Sequence, residues 1–306
     1  LTEPAPKILC AGIAAQDIVM RVERFPAPGT KVPATDYIIT GGGCAANAAL
    51  AVARLGGRAA FAGPFGAAAD AASNRIAADL AAEGVDCGGV VRPDGASVTV
   101  SLILIDAEGE KAIATRRGAK LDGVTPKDAV GLLADADALL ADNRFPLFVT
   151  PLAQAARAHG IPVVIDFDLI TTPDDALLKL GNHVVASSEA LRATTGCDDL
   201  GEGLKQVAAH APGFVAVTDG PNGVVWLEDG ALRDMPAFAV NVVDSLAAGD
   251  VFHAGFTLAL AEGRDFENAL RFASAAAALK CTHFGGADGA PRRAEVEAFL
   301  KKQVGS

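Results

Sequence analysis

Short apolar runs alternate with helical segments through most of this chain, and that rhythm leaves few folds open to it. The runs at 138–141, 161–167, 183–186 and 214–218 are too short for helices and read as buried strands. Helical segments at 67–83, at 147–159, and from Ser188 and Asp199 lie among them. This βα repetition implies an α/β fold, with a central, mainly parallel sheet covered by helices on both faces and right-handed crossovers. With 306 residues and 51% hydrophobic content, the chain can bury such a core as a single domain.

Two stretches break the rhythm. Ile18 to Thr40 alternates apolar and polar residues around the turn Pro26-Ala-Pro-Gly-Thr30, and Ser97 to Thr115 does so around Ala107-Glu-Gly-Glu110. Each reads as a half-exposed antiparallel hairpin, and the two can pair into a small sheet, an excursion covering about 14–40 and 97–117. The first strand, Lys7 to Ile13, leads through Gly12 to Asp17 at the edge where open α/β sheets take ligands. Asp17 is there either a turn residue or a first polar contact.

A net charge of −11 without a basic tract argues against nucleic acid and anionic membrane as partners. Any anionic substrate then needs a local cationic pocket. The five cysteines are scattered, with no C-x-x-C pair, which fits reduced thiols and not a disulfide frame or zinc site. No apolar run reaches membrane-spanning length, and the opening Leu-Thr-Glu-Pro-Ala-Pro-Lys lacks a leader pattern, so a cytoplasmic location is expected.

The most informative single stretch runs from Val243 to Phe256. Asp244 and Ser245 are followed, after Leu246, by the small residues Ala247, Ala248 and Gly249, then by Asp250 and an apolar helical run. Small residues let a ligand approach the backbone, and the first helical turn offers unpaired N–H groups and a positive dipole end. Asp250 is either a dipole-stabilising acid of that turn or a general base beside an anion hole. Its neighbourhood is read as free of imidazole.

The segment D-S-L-A-A-G-D at 244–250 resembles the D-T-x-G-A-G-D signature of the PfkB/ribokinase family of carbohydrate kinases. Gly41-Gly-Gly-Cys-Ala-Ala-Asn47 resembles that family's second signature, G-G-x-x-x-N. The resemblance implies a ribokinase-like fold in which the two hairpins form a lid over the sugar. It gives Asp250 the role of base and Ala247, Ala248 and Gly249 that of holding the transferring phosphoryl group. Asp17, Gly42, Gly43 and Asn47 become sugar contacts. The same glycines satisfy G-x-G-x-x-A, but the strand before them is partly polar and no acid follows for a ribose, so a dinucleotide site is rejected. There is no P-loop signature.

Thr218-Asp-Gly-Pro-Asn-Gly223 resembles the family's T-x-G-x-x-G turn, which assigns Thr218, Gly220 and Gly223 to the nucleotide; a plain hairpin is the alternative. Gly286 suits a loop closing over adenine or a simple helix stop. ATP and Mg²⁺ are implied, a monovalent cation is allowed, and Glu189, in Ala186-Ser-Ser-Glu189, stands where the family has a Glu organising metal-bound water, although the family's Asn is missing. Asp166 and Asp168 end a strand and face either phosphates or a turn.

Lys31 and Arg144 are surface charges or, together, a grip for a sugar bearing phosphate or sulfonate. Segments such as Leu140-Ala-Asp-x-Arg144 and Ala277-Ala-Leu-Lys-Cys-Thr282 are similar to the sulfofructose kinase branch, with Thr115 where that branch carries Asn. Other readings are a nucleoside kinase of the same fold, with Tyr37 and Phe25 the only nearby aromatics, and a sugar-binding regulator without catalysis. The family's habits make a homodimer through the lid reasonable.

Overall fold

The computed structural model describes residues 4–304, so the first three residues of the segment read for a leader lie outside the described residues. In chain order the strands are β1 (Lys7–Ala11), β2 (Ala15–Val22), β3 (Ala34–Gly42), β4 (Arg58–Pro64), β5 (Asp86–Val91), β6 (Thr99–Ile105), β7 (Lys111–Arg116), β8 (Ala138–Asp142), β9 (Val163–Phe167), β10 (His183–Ser187), β11 (Phe214–Thr218), β12 (Val224–Glu228) and β13 (Ala231–Met235). The helices are α1 (Cys44–Arg54), α2 (Ala71–Ala82), α3 (Ala129–Leu133), α4 (Pro146–Ala158), α5 (Ala176–Leu180), α6 (Ser188–Thr195), α7 (Leu200–Ala208), α8 (Ala248–Ala261), α9 (Phe266–Cys281) and α10 (Arg293–Val304).

Nine strands form the main sheet in the order β13-β12-β11-β10-β9-β8-β1-β4-β5. From β5 to β11 all neighbours are parallel, and β12 and β13 finish one edge as an antiparallel pair of steps. Alternation along β1 feeds two cores. Ile8 and Cys10 pack on one face with α1, α8 and α9, while Leu9 and Ala11 pack on the other with α4 and its neighbours. The expected doubly covered, mainly parallel sheet is therefore present.

The strand order reverses at β1, with β4 on one side and β8 on the other. Beyond the C-terminal ends of these strands lies the crevice in which open α/β sheets take ligands. Gly12 and Asp142 stand at this edge. The Asp142 carboxylate accepts from Ile13 N at 2.7 Å and Ala45 N at 3.2 Å through Oδ2, and from Arg144 N at 2.9 Å through Oδ1. A Cβ on Gly12 would collide with that carboxylate. One buried acid thus ties the ends of β1 and β8 to the start of α1.

A second sheet of four strands runs in the order β3-β2-β6-β7. Each expected hairpin forms, β2 with β3 and β6 with β7, and the two join by a parallel pairing of β2 with β6. Val19, Ile103, Ile105 and Ile38 on its inner face pack on Leu246 and Phe284 of the main body. Boundaries differ from the sequence reading where side chains decide them. The helix expected over 67–83 starts at Ala71, because Asp70 caps it by accepting from Ser73 N. The first strand ends at Ala11, since Gly12 adopts φ 146° and turns the chain away.

Candidate active site

Across the inner face of the small sheet, Thr40, Asp17, Ser101 and Thr115 stand in one row of the register. Asp17 is buried, and Thr115 Oγ1 donates to Ser101 Oγ at 3.3 Å. Burial pushes the Asp17 carboxyl up to about 6, against a Ser101 hydrogen bond that lowers it, and nearby Asp250 raises it further. The room for Asp17 comes from Gly42 across the strand pair: a Cβ there would lie 2.7 Å from Oδ1 and nearer still to the rest of the carboxylate. Gly43, at φ 92°, would bring a Cβ within 2.7 Å of Ile13 O, so a side chain here meets both backbone strain and a fixed carbonyl. It precedes α1, which delivers Asn47 one turn later.

Asn47 Nδ2 donates to Asp250 Oδ2 at 2.6 Å, joining the two signature segments. Asp250 lies in the first turn of α8. Desolvation raises its pKa; the Asn47 hydrogen bond opposes this, Asp168 adds to it, and His253 and Cys44 oppose it. The turn before it is set by Ala247, which takes the left-handed conformation at φ 62°. Ala248 N reaches Ser245 O at 3.3 Å, while Ala247 and Gly249 donate no backbone hydrogen bond among the described residues. A Cβ on Gly249 would meet nothing within 4 Å, so the head of α8 is open on that side.

The expectation of an imidazole-free neighbourhood fails. His253 lies one turn along α8 on the side of Asp250, because a spacing of three residues puts both on one helix face. The ring is buried, with Nδ1 2.7 Å from Gly249 O and Nε2 3.1 Å from Val185 O and 3.5 Å from Asp166 Oδ1. Both nitrogens face acceptors, an arrangement that favours the protonated ring. Its desolvation disfavours that charge, but Asp166 and the two carbonyls outweigh it and the pKa is raised. Asp166 itself is pushed up to about 8 by burial, with His253 opposing.

Asp142, Cys44 and His253 were not singled out from sequence. Asp142 carried a usable signal, an acid closing an apolar strand at the ligand edge of the sheet. Cys44 Sγ, Asp166 and Asp250 have ligand atoms within 4.8 Å of one another, but burial and the surrounding carboxylates hold the thiol well above its ordinary pKa. A protonated thiol is a poor ligand for a hard cation.

The remaining candidates divide. Arg144 pairs with Asp168, and its Nε is buried without a partner. Lys31 is exposed in the loop between β2 and β3 and makes no hydrogen bond or ion pair among the described residues. Thr218 ends β11, beside Ser187 of β10. Gly220 and Gly223, at φ 52° and 100°, form the turn into β12, where a Cβ on Gly223 would strike Met235 O. Glu189 is exposed in the first turn of α6. Gly286 sits away from the β11 turn: its amide donates to Asp244 Oδ2 at 3.1 Å, beside Leu246 and Thr40. Tyr37 points from the outer face of the small sheet, opposite to the Asp17 row, and is 66% exposed.

The pfkB family carbohydrate kinase pattern matches residues 5–293. The chain is 31% identical to the ribokinase of Haemophilus influenzae over 293 residues, covering 93% of this chain and 95% of that protein. It is 30% identical to the ribokinase of Bacillus subtilis over 310 residues, covering 96% and 99%. The structure of Arabidopsis thaliana ribokinase complexed with ribose and ATP matches with a TM-score of 0.83 at 25% identity, over 97% of this chain and 99% of that one. Two signature segments that meet through one hydrogen bond, at the switch point of a doubly covered sheet, agree with a likeness that runs almost end to end: the chain belongs to the pfkB family of carbohydrate kinases.

Proposed function

We propose that this carbohydrate kinase transfers the γ-phosphoryl group of ATP to a primary hydroxyl of a ribose- or fructose-like sugar, with Asp250 as general base. One observation carries the reading. Asp250 stands at the head of α8 beside the unpartnered amides of Ala247 and Gly249, with one oxygen held by Asn47 and the lid acid Asp17 close by. A raised carboxylate pKa suits a base that must take a proton from an alcohol near neutral pH. Asp17, Gly42, Gly43 and Asn47 orient the sugar hydroxyls. The amides of Ala247, Ala248 and Gly249 stabilise the equatorial oxygens of the phosphoryl group in flight. Thr218, Gly220 and Gly223 border the nucleotide. Glu189, through water, would hold Mg²⁺, which supplies charge neutralisation on the phosphates when bound. The small sheet covers the sugar, so that phosphate passes to it and not to water.

Asp250→Asn tests the assignment. The variant is expected to fold and bind sugar while kcat falls ~10²- to 10⁴-fold, the usual cost of removing a general base. Undiminished turnover would sink it, and would favour sugar binding or a different base.

A second reading, in which the sugar already bears phosphate or sulfonate, is favoured by unpartnered Lys31 and by the buried, unsatisfied Arg144 Nε. It is checked by comparing fructose with its 6-phosphate and 6-sulfonate analogues on wild type and Arg144→Ala. Preference for the free sugar together with an unchanged variant excludes it. A base-stacking nucleoside site gains nothing from the outward-facing Tyr37. That outer face, where Ile39, Ile18 and Leu102 stand in one row, suits a homodimer through the lid. Leu102→Lys would then lower the mass seen by light scattering; an unchanged mass argues against this contact.

A further inference from the structure

Lys280 is the one lysine buried without any exposed surface among the described residues. It sits near the end of α9, and its ammonium donates to Asp244 O at 2.8 Å and lies 3.2 Å from Asp244 Oδ2 and 3.4 Å from His283 O. An ammonium has three N–H bonds, and three oxygens surround this one. The same Asp244 carboxylate accepts from Leu246 N at 2.7 Å through Oδ1, and from Gly285 N and Gly286 N at 3.0 and 3.1 Å through Oδ2. Val243 N and Asp244 N in turn donate to Cys281 O at 2.8 and 3.1 Å. The turn that leads through Ala247 into α8 is therefore anchored at its start to the end of α9, and a single positive charge sits at the centre of that anchor.

We propose that the Lys280 ammonium is a built-in monovalent cation, a positioning residue that holds the Asp244 turn and so the amides at the head of α8, making a free alkali or ammonium ion unnecessary. Carbonyl and carboxylate oxygens of this kind are what a potassium ion would take as ligands, and here a tethered cation already uses them. A free ion would have to displace an ammonium from a site closed to water, leaving that charge buried without its partner. The role rests on the phosphotransfer reading for its catalytic consequence, but the occupancy of the site does not.

The test compares wild type with Lys280→Ser and Lys280→Ala in buffer whose only cation is tetramethylammonium, then with KCl, NaCl or NH₄Cl added at constant ionic strength. Melting temperature and sugar-kinase turnover are both read. Wild type should change by less than about twofold in kcat and show no ion-specific rise in melting temperature, since no vacant site exists to link binding to folding. In tetramethylammonium the truncated variants should lose ~10²-fold in kcat, as expected when anion-hole donors are misplaced, with a smaller change in the KM for ATP. K⁺ or NH₄⁺ should restore at least about tenfold of that loss and raise their melting temperatures, which a merely structural lysine would not allow. Strong activation of wild type by K⁺, or variants that respond equally to tetramethylammonium and K⁺, overturns the proposal. If both variants fail to fold, the wild-type arm still decides it. If no sugar is phosphorylated, the kinase reading fails while the melting data still report on the cation.

Discussion

Gly42→Ala separates the geometry of the lid acid from everything else. Gly42 lies in β3, opposite Ala15 of β2, and its φ is outside the left-handed region, so alanine meets no backbone strain there. The added methyl carbon would lie 2.7 Å from Asp17 Oδ1 and closer to Oδ2 and Cγ. Both strands are fixed by the ladder, so the carboxylate must withdraw by ~1 Å, a displacement that costs ~10²-fold where positioning matters. Overpacking a buried site also removes ~1–3 kcal/mol of stability, which lowers the melting temperature by several degrees without unfolding the chain. The assay is steady-state kinetics with the sugar and ATP varied in turn. The expected result is a fall of ~10²-fold in kcat/KM for the sugar, with the KM for ATP within about threefold of wild type. Gly41→Ala is the control, because its Cβ would meet only Ile76, at an ordinary 3.7 Å. Wild-type sugar kinetics in Gly42→Ala, or an equal loss in both variants, would refute the assignment of Asp17 to the sugar.

Further outcomes are expected from the same site. Ala247 occupies a left-handed conformation that costs a non-glycine residue ~1–2 kcal/mol, so Ala247→Gly should keep activity and, after glycine's extra chain entropy, raise stability by up to ~1 kcal/mol in denaturant titration. With Asp17 protonated below about 6, kcat/KM for the sugar should rise with pH through that region and level off above it. Asp17→Asn should remove this inflection, leaving only that of Asp250. The raised pKa of His253 favours its charged form, so its ring nitrogens should keep imidazolium ¹⁵N shifts to higher pH than a free histidine does. By linkage, its contribution to stability is complete below an unfolded value of ~6.5 and is lost as pH rises through the folded one. A neutral ring at pH 7 would contradict the two-acceptor geometry.

Sequence alone determined the layered α/β architecture, because apolar runs too short for helices but buried on both faces have few other homes. It also located the head of α8 and the glycines before α1, because a turn that must admit a ligand or a carboxylate leaves small residues behind it. What it missed has a common cause. The Thr40, Asp17, Ser101 and Thr115 row is assembled from four strands, and its register depends on the parallel pairing of β2 with β6, which no local pattern encodes. His253 was hidden inside an apolar helical run, and only the tertiary structure brings the carbonyls of Gly249 and Val185 against its two ring nitrogens. Lys280 entered the sequence reading only as part of the Ala277-Ala-Leu-Lys-Cys-Thr282 segment. Tertiary structure alone decided that this ammonium is sealed against Asp244, because the oxygens that hold it come from parts of the chain about 40 residues apart, brought together by packing.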